Sequence, residues 1–428
     1  MLDIRSVQPS PSTASGAAEQ TLRVLYVCYL SLEDPLVHSQ VVAYLAGLAE
    51  LGHTVHLLTF EPGLEPSRAR AFEEQLGRQG IVWHSRRYHK APSLPATAFD
   101  VFAGALTAAR LVRRHRLDAI HARNHVPAAM AMLASRLSGC RIVFDLRGLM
   151  AEEYVDAGNW KRGGAPYRLA QWVQRAALRR ADAVVTLTEA VRPHLSETKA
   201  GPDATFVIPC CADVEAIAAQ ADQRDLARAE IGVDRDQPVM VYVGKFGGWY
   251  LDPEMAEFVA TARRSTPDLV FLIVTQADPR PMVSELARQG VGAEDYRVMR
   301  AEHEQIGRLL AAADVGVSFV KPCFSKISSS PTKVGEYLAA GLPVVSTAGI
   351  GDVDSLLRDE RVGVLIDELS EPAYESAAAA VEALRADPGA RERCLAVART
   401  RLSLREVGIP RYDALYRRVA AGRSLPAR

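Results

Sequence analysis

Short apolar runs separated by helical periods leave this chain little choice of architecture. Residues 22–29 read LRVLYVCY, apolar at every position but Arg23. A strand of that kind needs cover on both faces, which a central parallel strand receives. Residues 39–51 then carry apolar side chains at helical spacing and stop at Gly52, and residues 54–60 form a second strand. Strand, helix and parallel strand make a crossover unit, and its repetition builds a doubly wound sheet. The pattern continues through strands at 117–121, 141–146, 183–188 and 206–209 and helices at 99–115, 126–137 and 167–180. It restarts at 238–243 and runs through strands at 269–275, 315–319 and 342–346. Helices are expected at 252–265, 306–312, 371–386, 391–404 and 409–421, and the two halves join near 211–224. The fold class is therefore α/β: two Rossmann-like doubly wound domains facing across a cleft. Ligands of such sheets sit beyond the carboxyl ends of the strands.

Composition narrows the function. The 428 residues suffice for two or three domains with cores of their own. Formal net charge is zero, so no bulk attraction to nucleic acid is expected. The 6 cysteines include no CxxC pair, which argues against a zinc or redox motif and fits reduced thiols and a cytoplasmic location. No apolar run reaches the roughly 18 residues of a spanning helix. Residues 1–21 are rich in Ser, Ala, Pro and Thr without an apolar core, and read as a disordered tail rather than a signal peptide.

The chemistry is concentrated in residues 328–345, SSSPTKVGEYLAAGLPVV. Pro331 suits the first position of a helix, Ser330 is the expected N-cap, and Gly341 with Pro343 ends the helix before a buried strand. Free N–H groups, the hydroxyls of Ser328, Ser329, Ser330 and Thr332, and Lys333 would together form an anion site fit for phosphate. Glu336, one turn further on, can accept two hydrogen bonds from a diol such as ribose. An ordinary capped helix with a solvated glutamate is the alternative. The stretch resembles the nucleotide-binding motif of bacterial family 4 retaining glycosyltransferases, whose two Rossmann-like domains form the GT-B architecture. In that family a glutamate at the position of Glu336 holds the donor ribose. The family's second glutamate, eight positions earlier, is replaced here by Ser328.

The resemblance covers nearly the whole chain from Leu22 and is strongest in four further places. Residues 35–45 carry an SQV…YL pattern similar to a subgroup that builds surface polysaccharides or natural products. There Ser39 and Gln40 would open a helix toward the acceptor side of the cleft, or simply cap a surface helix. His121-Ala122-Arg123-Asn124-His125 ends a strand, and the resemblance implies sugar or acceptor contacts for His121, Arg123 and His125. Phe144-Asp145-Leu146-Arg147 ends another, where Asp145 could orient a hydroxyl and Arg147 steady negative charge. The polar loop 158–164 that follows includes Trp160, an acceptor contact or a plain exposed residue. Gly244-Lys245-Phe246-Gly247-Gly248 follows a strand of the second half, where glycines let backbone approach a ligand. Lys245 resembles the family's diphosphate-binding cation, with Lys326 or Lys333 standing in for the second.

The family implies a domain plan: an acceptor-side domain over 22–212, a nucleotide-sugar domain over 213–405, and a helix within 406–428 returning to the first domain. It implies a retaining transfer from a nucleotide sugar, UDP- or GDP-linked, to a glycan, a lipid-linked or a small-molecule acceptor, with no further cofactor. No DxD motif stands at a strand end, since Asp352-Val353-Asp354 follows a glycine loop, so no metal is expected. Basic clusters at 110–116 and 175–180 are solvated faces or a peripheral contact with the inner membrane face. A nucleotide-sugar epimerase on the same scaffold, or a binding protein that has lost catalysis, are the alternatives.

Overall fold

The computed structural model describes residues 21–422, apart from 92, 196–197, 199–200, 202–203 and 303–304. Apart from Thr21, the tail expected at 1–21 lies outside the described residues, as does the end of the 406–428 segment. Seven parallel strands form the first sheet: β1 (Arg23–Cys28), β2 (Thr54–Glu61), β3 (Ile81–Arg87), β4 (Ala119–Arg123), β5 (Arg141–Leu146), β6 (Ala183–Thr186) and β7 (Thr205–Val207). Their order is β3-β2-β1-β4-β5-β6-β7. Six more form the second: β8 (Val239–Val243), β9 (Val270–Val274), β10 (Tyr296–Met299), β11 (Val315–Ser318), β12 (Val344–Thr347) and β13 (Gly363–Ile366). Their order is β10-β9-β8-β11-β12-β13. Both sheets reverse direction of growth beside their first strand, which opens a crevice at the carboxyl ends. The expected pair of Rossmann-like domains in the GT-B arrangement is the fold observed.

The central strands β4, β8 and β9 are buried at every position. The sequence pattern missed β3, β10 and β13, which lie at sheet edges. There β3 alternates between covered and exposed positions and β10 is half-buried throughout. An edge strand covered on one face lacks the continuous apolar run that betrays a central one. The helices Pro66–Arg78, Arg280–Arg288 and Val353–Asp359 were missed as well.

The last helix, Ile409–Ala421, packs on the first domain, where Tyr412, Leu415, Tyr416 and Val419 share a core with Val24 and Tyr26 of β1. It lies so close to the helix Ala43–Glu50 that a Cβ on Gly47 would fall 2.2 Å from Ile409 Cδ1. The chain passes between domains twice, and the two passages run side by side. Ala212 N donates to Leu402 O, and Leu404 N donates to Ala212 O, each at 2.9 Å.

The helix Thr332–Ala339 is fixed to the second sheet by Tyr337. Its ring lies flat on Gly316 of β11, where a Cβ would come within 2.3 Å. Its hydroxyl accepts from Val243 N at 2.8 Å and donates to Val317 O at 3.2 Å. Tyr337→Phe should leave both buried groups unpaired and cost about 1–3 kcal/mol. Urea unfolding should show a lower midpoint at an unchanged m-value.

Candidate active site

The cleft floor is set by register. Cys28 of β1 pairs with Arg123 of β4, and Arg123 pairs with Asp145 of β5, so all three stand level at the carboxyl ends. Asn124 then takes a positive φ of 73° and caps the helix His125–Ser138, its Oδ1 accepting from His125 N at 2.9 Å. Asp145 is fully buried. Its Oδ2 lies 3.6 Å from His121 Nε2 and 3.9 Å from the Arg123 guanidinium, and its Oδ1 lies 3.8 Å from Arg147. The hydroxyls of Tyr26 and Tyr412 donate to Oδ2 at 3.4 and 3.3 Å. Burial alone would push this carboxyl up, but Arg147, then His121 and Arg123, outweigh it and hold it at about 2. Burial keeps His121 below its ordinary value. With His121 neutral, one carboxylate faces two guanidinium groups, and a net positive charge is left under the cleft.

Arg123 and Arg147 line the cleft cavity, whereas His121 and Asp145 lie beneath its floor. His121 Nδ1 shares a hydrogen bond with Tyr416 Oη at 2.8 Å, which ties it to the last helix. His125 and Trp160 also line the cavity. His125 is buried, with Nε2 3.0 Å from Gln174 Oε1, and burial lowers it to about 4. Trp160 stacks on Tyr154 with 4.2 Å between ring centroids. Ser39 and Gln40 do not face the cleft. The helical stretch opens earlier, at Pro35 behind the cap Asp34, and Gln40 is buried with Nε2 donating to Cys211 O at 3.0 Å. The SQV pattern therefore braces the interdomain passage.

From the second domain, Lys326, Ser329, Ser330 and Thr332 face the same cavity. Ser330 is not the N-cap expected of it. Pro331 precedes the first helical residue, and Ser330 Oγ accepts instead from Cys210 N of the first domain at 3.1 Å. Ser328 is buried, donates to Ser325 O at 2.8 Å and accepts from Leu149 N at 3.2 Å, so it too joins the domains. Glu336 is buried one turn into the helix. Lys245 is exposed and lies outside the cavity. Lys326 occupies the cleft instead, with Nζ 3.3 Å from Glu153 Oε1 and 4.1 Å above the Trp249 ring.

Lys333 is buried over the faces of Tyr242 and Tyr250, at 4.0 and 4.5 Å from their centroids. Its Nζ has no hydrogen-bond partner among the described residues. Gly244 makes the space: its φ is +148°, and a Cβ there would stand 2.9 Å from that Nζ. Gly247 has φ +73° and donates its N–H to Asp252 Oδ2 at 2.7 Å, which folds the glycine loop onto the helix Asp252–Ser265. Burial pulls Lys333 down to about 7, against the opposing charges of Glu336 and Asp252.

Asp352 and Asp354 are engaged with backbone. Asp352 accepts from Glu189 N at 2.7 Å and Ala190 N at 3.0 Å across the domain boundary, and Asp354 accepts from Gly349 N at 2.9 Å. Among the described residues, the one group with metal-ligand spacing is His56, His84 and His115, away from the cleft; His56 stands level with Leu25 of β1, three residues before Cys28. No described helix is long and apolar enough to cross a membrane. Asp145→Asn should strip the buried arginines of their counter-charge and destabilise the protein by about 3–5 kcal/mol, measured by urea unfolding at pH 7. Asp145 sits below its unfolded value, so its stabilisation is complete above pH 4 and is lost as pH falls toward 2. The gap between wild type and Asp145→Asn should close over that range.

Residues 37–211 match the family described as glycosyl transferase 4-like domain, and residues 237–387 match glycosyl transferases group 1. Alpha-maltose-1-phosphate synthase of Mycolicibacterium smegmatis is 28% identical over 300 residues, covering 64% of this chain and 74% of that protein. A glycosyltransferase from Rickettsia africae superposes with a TM-score of 0.70 at 15% identity, covering 93% of this chain and 98% of that one. HepE of Anabaena, solved with UDP and glucose, superposes with a TM-score of 0.64 at 16% identity, covering 94% and 100%. Two glycosyltransferase domains in tandem, on a fold shared along nearly the whole length of solved glycosyltransferases, make this chain a nucleotide-sugar-dependent glycosyltransferase of the GT-B, family 4 type.

Proposed function

We propose that this enzyme transfers a sugar from a UDP-linked donor to an acceptor hydroxyl with retention of anomeric configuration, and that protein cations carry the leaving-group charge without a metal. One observation carries the reading: Arg123, Arg147 and Lys326 line the same interdomain cavity as Ser329, Ser330 and Thr332, which stand at the start of the helix Thr332–Ala339. Positive side chains and inward N–H groups are what a departing diphosphate requires. The UDP bound by HepE supports the choice of base.

In this reading the diphosphate lies against the hydroxyls of Ser329, Ser330 and Thr332, Lys326 reaches it from the side, and Glu336 takes the ribose. The C1–oxygen bond breaks with its electron pair passing to the diphosphate, through an oxocarbenium-like state. The acceptor oxygen bonds to C1 on the same face and its proton passes to the departing phosphate oxygen. Arg123 and Arg147 hold charge beside that face, and Asp145 and His121 act beneath them as positioning residues. Ser328 makes no donor contact in this scheme. Lys245, exposed at the rim, makes at most a long-range contribution.

UDP should raise the melting temperature by mass action, and Glu336→Ala should abolish the shift while leaving the fold intact by circular dichroism. No shift at millimolar UDP, GDP, ADP or dTDP would overturn the reading.

Lys333 supplies a pH signature. A bound diphosphate favours its charged form, so proton uptake accompanies binding above pH 7. UDP affinity should therefore fall between pH 7 and 9, by up to about tenfold per pH unit. Over the same range the unliganded protein should gain stability, because unfolded Lys333, at about 10.4, binds the proton that the folded state has released. Isothermal titration and urea unfolding check the two trends, and Lys333→Met should flatten both.

A further inference from the structure

The cleft is larger than its donor. The cavity encloses roughly 1470 Å³, whereas sites for small ligands run to about 300–1,000 Å³. The excess is a groove on the first domain. It runs from the reaction end at His125 over the helix His125–Ser138, between the helices Ser93–His115 and Ala165–Leu178. Leu94 and Phe102 form one bank and Leu169 and Trp172 the other, with Leu133 between. The bank residues are 58%, 62%, 54% and 57% exposed, a poor arrangement for apolar side chains unless something covers them.

Charge says what covers them. The cavity wall carries Lys90, Arg123, Arg136, Arg147, Arg180 and Lys326 and, among the described residues, no aspartate or glutamate. Arg123, Arg147 and Lys326 belong to the donor end. Lys90, Arg136 and Arg180 lie along the groove instead, and Arg180 rests 3.7 Å from Met132 Sδ. A free oligosaccharide would need carboxylates and amides to meet its hydroxyls. The hydroxyls and the amide of the wall, from Ser31, Thr97, Asn124, Ser329, Ser330, Thr332 and the tyrosines, lie outside the banks of the groove, where Leu94, Phe102, Leu169, Trp172, Arg136 and Arg180 offer hydrocarbon and cations.

We infer that the groove holds the lipid part of the acceptor: a single hydrocarbon chain bearing phosphate, with the chain over Leu133 between Trp172 and Phe102 and the phosphate met by Arg136, Arg180 or Lys90. The groove's continuity with the cleft then puts the glycan end of the acceptor at the donor sugar. The inference rests on the transferase reading and names its acceptor class.

The test is titration calorimetry with dodecyl phosphate below its micelle concentration, beside dodecyl maltoside, inorganic phosphate and phosphatidylglycerol vesicles. One saturable site for dodecyl phosphate is expected, at least tenfold tighter than for dodecyl maltoside, with no binding of inorganic phosphate alone. Leu169→Glu and Trp172→Gln, both at exposed positions, should weaken dodecyl phosphate at least tenfold. Arg136→Glu should weaken it as much and leave dodecyl maltoside unchanged. Each variant should keep the thermal shift with UDP. A retained UDP shift with no dodecyl phosphate site, or with binding indifferent to these substitutions, overturns the groove assignment alone. Binding to vesicles without binding to monomers also overturns it and makes the face a membrane contact. Absence of a shift with every one of UDP, GDP, ADP and dTDP in the wild type overturns the proposed function instead.

Discussion

One buried carboxylate organises the first domain. Asp145 draws together the ends of β4 and β5, two tyrosine hydroxyls and the last helix, through His121, Arg123, Arg147, Tyr26 and Tyr412. Isolated, it would be costly, because an unpaired buried charge loses its hydration without replacement. Surrounded by two guanidinium groups it becomes the reason those groups can stand at a strand end with their charge intact. The arginines in turn face the cleft already oriented, which in the proposed reaction would leave little reorganisation for the moment when charge develops on a leaving group. The helix Ile409–Ala421 belongs to the same device. Its Tyr412 and Tyr416 close the underside of the site, so the return of the chain to its first domain completes that site.

The second constraint is the set of hydrogen bonds across the cleft. Ser328 to Leu149, Ser330 to Cys210, Thr188 to Ile327 O and Asp352 to the amides of residues 189 and 190 all span the two domains. Several of these come from the motif that sequence reasoning assigned to the donor. Ser328 thus serves as a bond between domains rather than as a polar contact within the cleft. The side-by-side passages at Ala212 and Ser403 are where the chain crosses between the domains.

How far the sequence could be read follows from which forces leave a periodic trace. Buried central strands do, so β1, β4, β5, β8 and β9 were plain, and with them the pair of doubly wound domains; the GT-B arrangement came from the family resemblance. The edge strands β3 and β10 do not, because their half-covered faces mix polar and apolar side chains. Among the candidate residues, Arg123, Arg147, Ser329 and Thr332 could be placed at the cleft from their position at a strand end or helix start. His121 and Gln40 misled for a common reason: a polar residue near a strand end or helix start reads alike whether it points up into the cleft or down into the core, and only packing against Tyr416 or Cys211 decides. Lys245 and Lys326 exchanged ranks because the glycine loop turns back on Asp252, which carries Lys245 to the surface. The apolar groove escaped notice entirely, since its two banks come from the helices Ser93–His115 and Ala165–Leu178, separated in the chain by residues 116–164.

Lys333 shows how the site can store binding energy. An ammonium over two aromatic faces recovers part of its lost hydration from the ring quadrupoles, but Tyr242 and Tyr250 leave its N–H groups unpaired. The folded protein tolerates this by letting the proton go near neutral pH. Under the proposed function, a diphosphate at the helix start would repair the deficit, and part of the donor's affinity would come from relieving a strain already present. The same logic separates the two ends of the cavity. At the donor end, buried cations await an anion of fixed geometry. In the groove, exposed apolar side chains and cations on long flexible stems suit a ligand whose shape varies along its length. The two ends therefore differ in what they offer: fixed, largely buried charge at one, and exposed hydrocarbon with flexible cations at the other.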